Sequence, residues 1–140
     1  MRLTKYSDYS LRTLMYLALA GRRCTIDEVA QSYDIPKNHL IKGVNQLATI
    51  GYIKSSRGKG GGIQLAHDPV DINIGEVVRD AEQSFELVEC FSHDDNQCVL
   101  TSNCKLASIL SDALDQFLSV LDEYTLADIV KPKMRVLLSL

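Results

Sequence analysis

KNHLIKGVNQLATIGYIKSSRGKGGGIQLA, residues 37–66, restricts the fold more than any other part of this 140-residue chain. Its first half repeats apolar residues at helical spacing. Leu40, Ile41, Val44 and Leu47 form an inward face, and Lys37, Asn38, His39, Lys42, Asn45 and Gln46 lie on the other. Gly51 is a natural helix stop. The period then falls to two: YIKSS (52–56) and GIQLA (62–66) each alternate as a short strand. The RGKGG between them supplies the glycines of a tight, basic connection. A helix leading directly into a hairpin is a strong local constraint, because the rest of the chain must cover one face of each.

Upstream, YSLRTLMYLALAG (9–21) places Leu11, Leu14, Met15, Ala18 and Leu19 at helical spacing, with Gly21 as the stop. Thr25-Ile-Asp-Glu28 fits a capping box and opens a second helix through about Ser32. Pro36 is expected in the first turn of the third helix, where its missing N–H is harmless. Two short helices, a brief turn and a helix with a polar outer face follow the helix-turn-helix order, and the hairpin adds a wing. Downstream, INIGEVVRDAEQ (72–83) reads as a fourth helix. From Asn103 a long helix carries Leu106, Ile109, Leu110, Ala113, Leu114, Phe117, Leu118, Leu121 and Tyr124 in a wide apolar stripe. TLADIV (125–130) reads as a short last helix, with Pro132 limiting its extension.

The expected fold is mostly α with a small β wing. Residues 1–83 form a winged helix-turn-helix domain, 84–104 a cysteine-rich loop, and 105–140 a dimerisation helix with a C-terminal segment. The stripe is too wide for one small domain to cover, so a second copy of the chain is the expected partner. A two-fold dimer would set two third helices on half-sites about one DNA turn apart.

Charge supports the same reading. The net charge is −3, yet residues 1–67 hold ten Lys/Arg against four Asp/Glu, and residues 68–140 hold five against fourteen. A basic half joined to an acidic half suggests a polyanion-binding module attached to something else. Lys37, Asn38, His39, Lys42 and Asn45 can hydrogen-bond base edges in a major groove. Arg57 and Lys59, set among glycines, can approach a phosphate or a minor groove. The bland alternatives are a solvated helix face and a flexible hairpin tip. A phosphate-cradling nucleotide loop is disfavoured, because GxxxxGK[ST] is absent and no helix follows the glycines directly. No apolar run is long enough to span a membrane. MRLTKYSDYSLR carries charges where a signal peptide needs its apolar stretch, so the expected compartment is the cytoplasm.

Three of the four cysteines, Cys90, Cys98 and Cys104, are spaced C-x7-C-x5-C in the loop before the long helix. Thiolates of this kind can hold an iron–sulfur cluster. A structural zinc site, which usually shows tighter C-x2-C pairs, and a thiol redox switch remain alternatives. An enzyme using a reactive thiol is a further alternative from another class, although no Cys-x-x-Cys or nucleophile–base pair is present. Cys24 stands apart and reads as a buried, reduced structural thiol. A four-iron cluster needs a fourth ligand: His93, a small molecule, or a side chain from elsewhere in a dimer.

MRLTKYSDYSLRTLMYLA, NHLIKGVNQLATIGYIKSSRGKGGGIQLA, the three-cysteine loop and YTLADIV together resemble the family of iron–sulfur winged-helix repressors that includes IscR and NsrR. The likeness covers nearly the whole chain, and the LVEC loop start and YTLADIV ending look most like its nitric-oxide-sensitive members. The resemblance implies a homodimeric DNA-binding repressor of nitric-oxide detoxification genes on pseudo-palindromic operators, with an iron–sulfur cluster in each subunit. The cluster would be [4Fe-4S], with [2Fe-2S] as the alternative, on Cys90, Cys98 and Cys104. It further implies Asp8 as the fourth ligand, given by the partner subunit, with Arg12 orienting its carboxylate.

Overall fold

A computed structural model of the protein describes residues 2–92, 94 and 96–140. Among these described residues seven α-helices and one hairpin follow in the order α1 (Lys5–Ala20), α2 (Ile26–Tyr33), α3 (Lys37–Ile50), β1 (Ile53–Ser56), β2 (Gly62–Leu65), α4 (Ile74–Ala81), α5 (Lys105–Asp122), α6 (Leu126–Ile129) and α7 (Met134–Leu137). Short 3-10 turns occupy Pro69–Asp71, Glu89–Phe91 and Thr101–Asn103. The mostly helical class with a small wing is therefore as expected, and no described helix is long and apolar enough to cross a membrane.

Local chemistry sets most boundaries. α1 starts four residues earlier than its apolar spacing suggests, because Thr4 accepts a hydrogen bond from the Ser7 backbone N–H at 3.2 Å and caps the first turn. It stops at Gly21, whose φ of 64° lets its N–H reach the Leu17 carbonyl. The capping box at α2 forms as expected: Glu28 N–H donates to Thr25 Oγ1 at 3.1 Å, and Thr25 N–H to the Glu28 carboxylate at 2.6 Å. Pro36 stands just before the third helix rather than inside it. Its ψ of 127° is extended, so helical geometry begins at Lys37. Asn73 caps α4 by accepting from Glu76 N–H.

α1 runs through the centre of the core. Leu14, Leu17, Leu40, Val29, Val44, Ile63, Ile72, Val77 and Leu126 are all at most 2% exposed. Each such side chain contributes about 1.5–3 kcal/mol by leaving water. Ile41 is a correction: it was expected inward and is 38% exposed. Gly43 takes the inward place beside Leu40, Val44 and Leu47, and α1 packs against it there.

The hairpin is antiparallel, with Ile53 opposite Leu65 and Ser56 opposite Gly62. A third, single-residue strand joins it. Cys24 N–H donates to Ile63 O at 2.9 Å, and Ile63 N–H to Cys24 O at 2.7 Å. Gly62, at φ 150°, makes this approach possible, since a Cβ there would lie 2.5 Å from the Cys24 carbonyl oxygen. The chain after α5 returns to the first half. Ile74 N–H bonds to Tyr124 O and Leu126 N–H to Ile72 O, which buries Leu126 completely.

α5 starts at Lys105, two residues later than expected, because Thr101–Asn103 coil more tightly as a 3-10 turn. None of its residues is buried; Leu106, Ile109 and Val120, and Tyr124 just beyond it, are 46–61% exposed. Its last residue is held firmly. Asp122 takes a bidentate ion pair from Arg79, and its carbonyl accepts from the Asn73 side chain at 2.7 Å.

Candidate nucleic-acid interface and cysteine loop

The outward face of α3 exposes Lys37, Asn38, His39, Lys42 and Asn45 together. Lys37 is partly spoken for, because its ammonium pairs with Asp27 at 2.7 Å. Both partners are half exposed, so the pair is worth well under about 1 kcal/mol and yields easily to a phosphate. The His39 ring stacks on Tyr9 of α1, with centroids 6.5 Å apart and planes 9° apart. That contact lays the imidazole alongside α1 at the start of the helix. Gln46 departs from the polar outer face: its amide donates to the Asp80 carbonyl at 3.0 Å and ties α3 to α4.

The wing presents Arg57 and Lys59, both exposed, at the tip, with exposed Lys54 on β1. The structure adds a residue that sequence reasoning missed. Arg23, beside Cys24 on the added strand, points across the hairpin, with Nε donating to Gln64 Oε1 at 3.3 Å and Nη1 to Gly60 O at 3.4 Å. The Arg22-Arg23 pair was visible in the sequence, but only the Cys24–Ile63 pairing carries Arg23 to the wing. Recognition helix and wing tip thus both offer cations in a protein of net negative charge. Cys24 itself is 1% exposed and not in a disulfide. Burial pushes its thiol pKa up, against the opposing pull of Arg22, which favours a protonated, unreactive thiol.

The cysteine loop is built from local hydrogen bonds. Gln97 N–H donates to the Glu89 carboxylate at 2.6 Å, drawing the chain next to Cys98 towards the chain next to Cys90. Asn96 Oδ1 accepts from Cys98 N–H at 3.0 Å, and Thr101 Oγ1 donates to Cys98 O at 2.7 Å. Cys104 occupies the residue immediately before α5. All three thiols are free; Cys98 is exposed, and Cys90 and Cys104 are half-buried. Among the described residues no three His, Cys, Asp or Glu side chains are gathered closely enough to hold a metal ion. Asp8 instead pairs with Arg12 at 2.9 Å on α1, and that hydrogen bond raises the Arg12 pKa. The Arg12 guanidinium also lies over the Tyr33 ring, 5.7 Å from its centroid. His93 lies outside the described residues.

A helix-turn-helix followed by a basic hairpin defines a winged helix-turn-helix protein. The profile of the family Rrf2, described as iron-dependent transcriptional regulators, matches residues 3–132. The HTH-type transcriptional regulator NsrR of Bacillus subtilis is 50% identical over 135 residues, 95% of this chain and 92% of that one. The IscR of T. potens shares the fold, with a TM-score of 0.72 at 23% identity over 92% of this chain and 85% of that one. CymR, the global cysteine regulator of B. subtilis, gives a TM-score of 0.68 at 26% identity over 92% and 95% of the two chains. The chain belongs to the Rrf2 family; it is a transcriptional regulator and not an enzyme.

Proposed function

We propose that this regulator is a cytoplasmic, homodimeric DNA-binding repressor that responds to nitric oxide through an iron–sulfur cluster. The observation that carries the reading is three free thiols, not engaged in disulfides, in one hydrogen-bonded loop that runs directly into α5. The donor set suits iron–sulfur chemistry: soft thiolates, partly open to solvent, with no closely spaced pair of the zinc kind. Likeness to the B. subtilis NsrR adds support over nearly the whole length.

In this reading Cys90, Cys98 and Cys104 hold the cluster, [4Fe-4S] in preference to [2Fe-2S]. Asp8 of a second copy is the fourth ligand, and Arg12, already bonded to it, orients the carboxylate. When bound, such a cluster supplies iron atoms that take up nitric oxide. The chain's own residues do the rest. Exposed Leu106, Ile109 and Val120 offer the apolar face for a second α5. Residues 1–83 act as the DNA-binding unit, 84–104 as the sensing loop, and 105–140 as the dimerisation helix and tail. Lys37, Asn38, His39, Lys42 and Asn45 read bases, while Arg57 and Lys59 contact the backbone or minor groove of a pseudo-palindromic operator.

The test uses protein purified without oxygen. Its visible spectrum and its affinity for labelled operator duplex are measured before and after nitric oxide. A brown protein that bleaches and releases DNA in step supports the reading; a colourless protein, or bleaching without release, refutes it. The family's description as iron-dependent favours a second reading, sensing of iron–sulfur status. In that case iron chelation alone releases DNA and nitric oxide has no separate effect.

A further inference from the structure

The end of α4 is where the DNA-reading parts meet the chain that leads into the cysteine loop. Asp80 is the next-to-last residue of that helix, so its carbonyl is one of those left without an intrahelical donor. Gln46 of α3 fills the gap, donating at 3.0 Å. The Asp80 carboxylate meanwhile accepts from the Tyr52 hydroxyl at 2.7 Å, and Tyr52 is the residue immediately before β1. One residue thus grips both the recognition helix and the root of the wing. Burial, and then this hydrogen bond, hold the Tyr52 phenol well above its ordinary range, so it remains a donor at any physiological pH.

Two residues further on, the Glu82 carboxylate accepts from Thr4 N–H at 2.7 Å, just ahead of α1. Glu82 and residues 84–88 line an apolar groove with Leu110, Leu114 and Phe117 of α5, and Cys90 follows. The segment between α4 and Cys90 therefore joins the loop directly to the end of α4. From there two hydrogen bonds lead to α3 and to the root of β1.

We propose that Asp80 is the positioning residue through which the state of the cysteine loop reaches the DNA-reading surface, its carbonyl holding Gln46 and its carboxylate holding Tyr52. Asp80 touches neither DNA nor the thiols; it sets the angle between α4 and the helix–wing unit. The role depends on the loop being the sensing element, as proposed above.

Operator affinity is measured by fluorescence anisotropy for protein purified without oxygen, before and after nitric oxide, and the ratio of the two is the readout. Wild type is expected to show a ratio of about tenfold or more, within the usual range of allosteric coupling. Asp80→Ala and Tyr52→Phe should keep the visible spectrum and the dimer, yet bring the ratio down to within about twofold of unity, a loss of most of that coupling. Asp80→Asn, whose amide oxygen still accepts the phenol, should retain the wild-type ratio. A purely structural role would lower the thermal midpoint and leave the ratio intact. That result in Tyr52→Phe, which removes one oxygen and keeps the ring, overturns the assignment while the sensing reading stands. A wild-type ratio of one overturns both.

Discussion

Adding one methyl group at Gly62 tests the three-stranded wing most directly. In Gly62→Ala the new Cβ would sit 2.5 Å from the Cys24 carbonyl oxygen and 3.1 Å from both the Cys24 carbonyl carbon and Arg23 Cγ. Two of these atoms are backbone and cannot swing aside. Relief requires separating the Cys24 strand from β2, which breaks the 2.9 Å and 2.7 Å hydrogen bonds between Cys24 and Ile63. At about 1 kcal/mol net each, these bonds contribute about 2 kcal/mol. The φ of 150° adds about 1–3 kcal/mol of strain for a residue with a Cβ. The sum, about 4 kcal/mol, corresponds to a fall of about 12 °C in Tm for a chain of this size. Gly58→Ala is the control, since its φ is 91° but nothing lies within 4 Å of the added Cβ. It should cost about 1–2 kcal/mol from conformation alone. Urea and thermal unfolding of both variants decide the matter. Equal losses in the two would show that Cys24 does not lie against the wing as described.

Removing the wing cation in Arg57→Ala should weaken operator binding and lower the slope of log affinity against log salt by about 1, as for one lost phosphate contact. An unchanged slope in folded protein would take Arg57 out of the interface. The double variant Leu106→Asp/Ile109→Asp places charge on two exposed apolar positions of α5 and should shift sedimentation from dimer to monomer while the far-ultraviolet spectrum stays the same; a persistent dimer would reassign that face. Glu28 is held below the usual carboxylate range by Thr25 N–H first and by Arg22 next. Its contribution to stability is therefore full above the ordinary value of about 4.3 and is lost as pH falls through the lower folded value. Glu28→Gln should flatten the stability–pH curve in that acid window, and a curve identical to wild type would remove the capping box as its cause.

Features carried by neighbours in sequence were legible. Thr25 and Glu28 announced α2, the switch from helical to alternating spacing announced the hairpin, and Cys24 read correctly as a buried thiol. Features made by distant residues were hidden. Nothing local says that Cys24 pairs with Ile63, that Arg23 therefore reaches the wing, or that Gln46 turns from the polar face to cap α4. Ile41 shows the limit of apolar spacing, since a glycine at 43 took the packed position that hydrophobicity would give to isoleucine. Pro132 was a sound stop for α6 but could not exclude a fresh turn after it, and α7 begins two residues later. For the cysteine loop, three thiols and their spacing were visible. Their assembly was not, because the described residues of one chain do not gather them, and the carboxylate suggested as a fourth ligand is bonded to Arg12.

α5 is fastened at Asp122 and carries Cys104 at its opposite end. Eighteen helical residues make an arm of about 27 Å. Tilting that arm by about 5° about its fastening sweeps the cysteine end through about 2 Å, on the same helical rise. The same lever works from the other end: under the proposed sensing role, a shift of about 2 Å at Cys104 amounts to a rotation of about 5° where Asp122 meets Arg79 and Asn73. The thiol end of the helix moves far while the end bonded to α4 moves little.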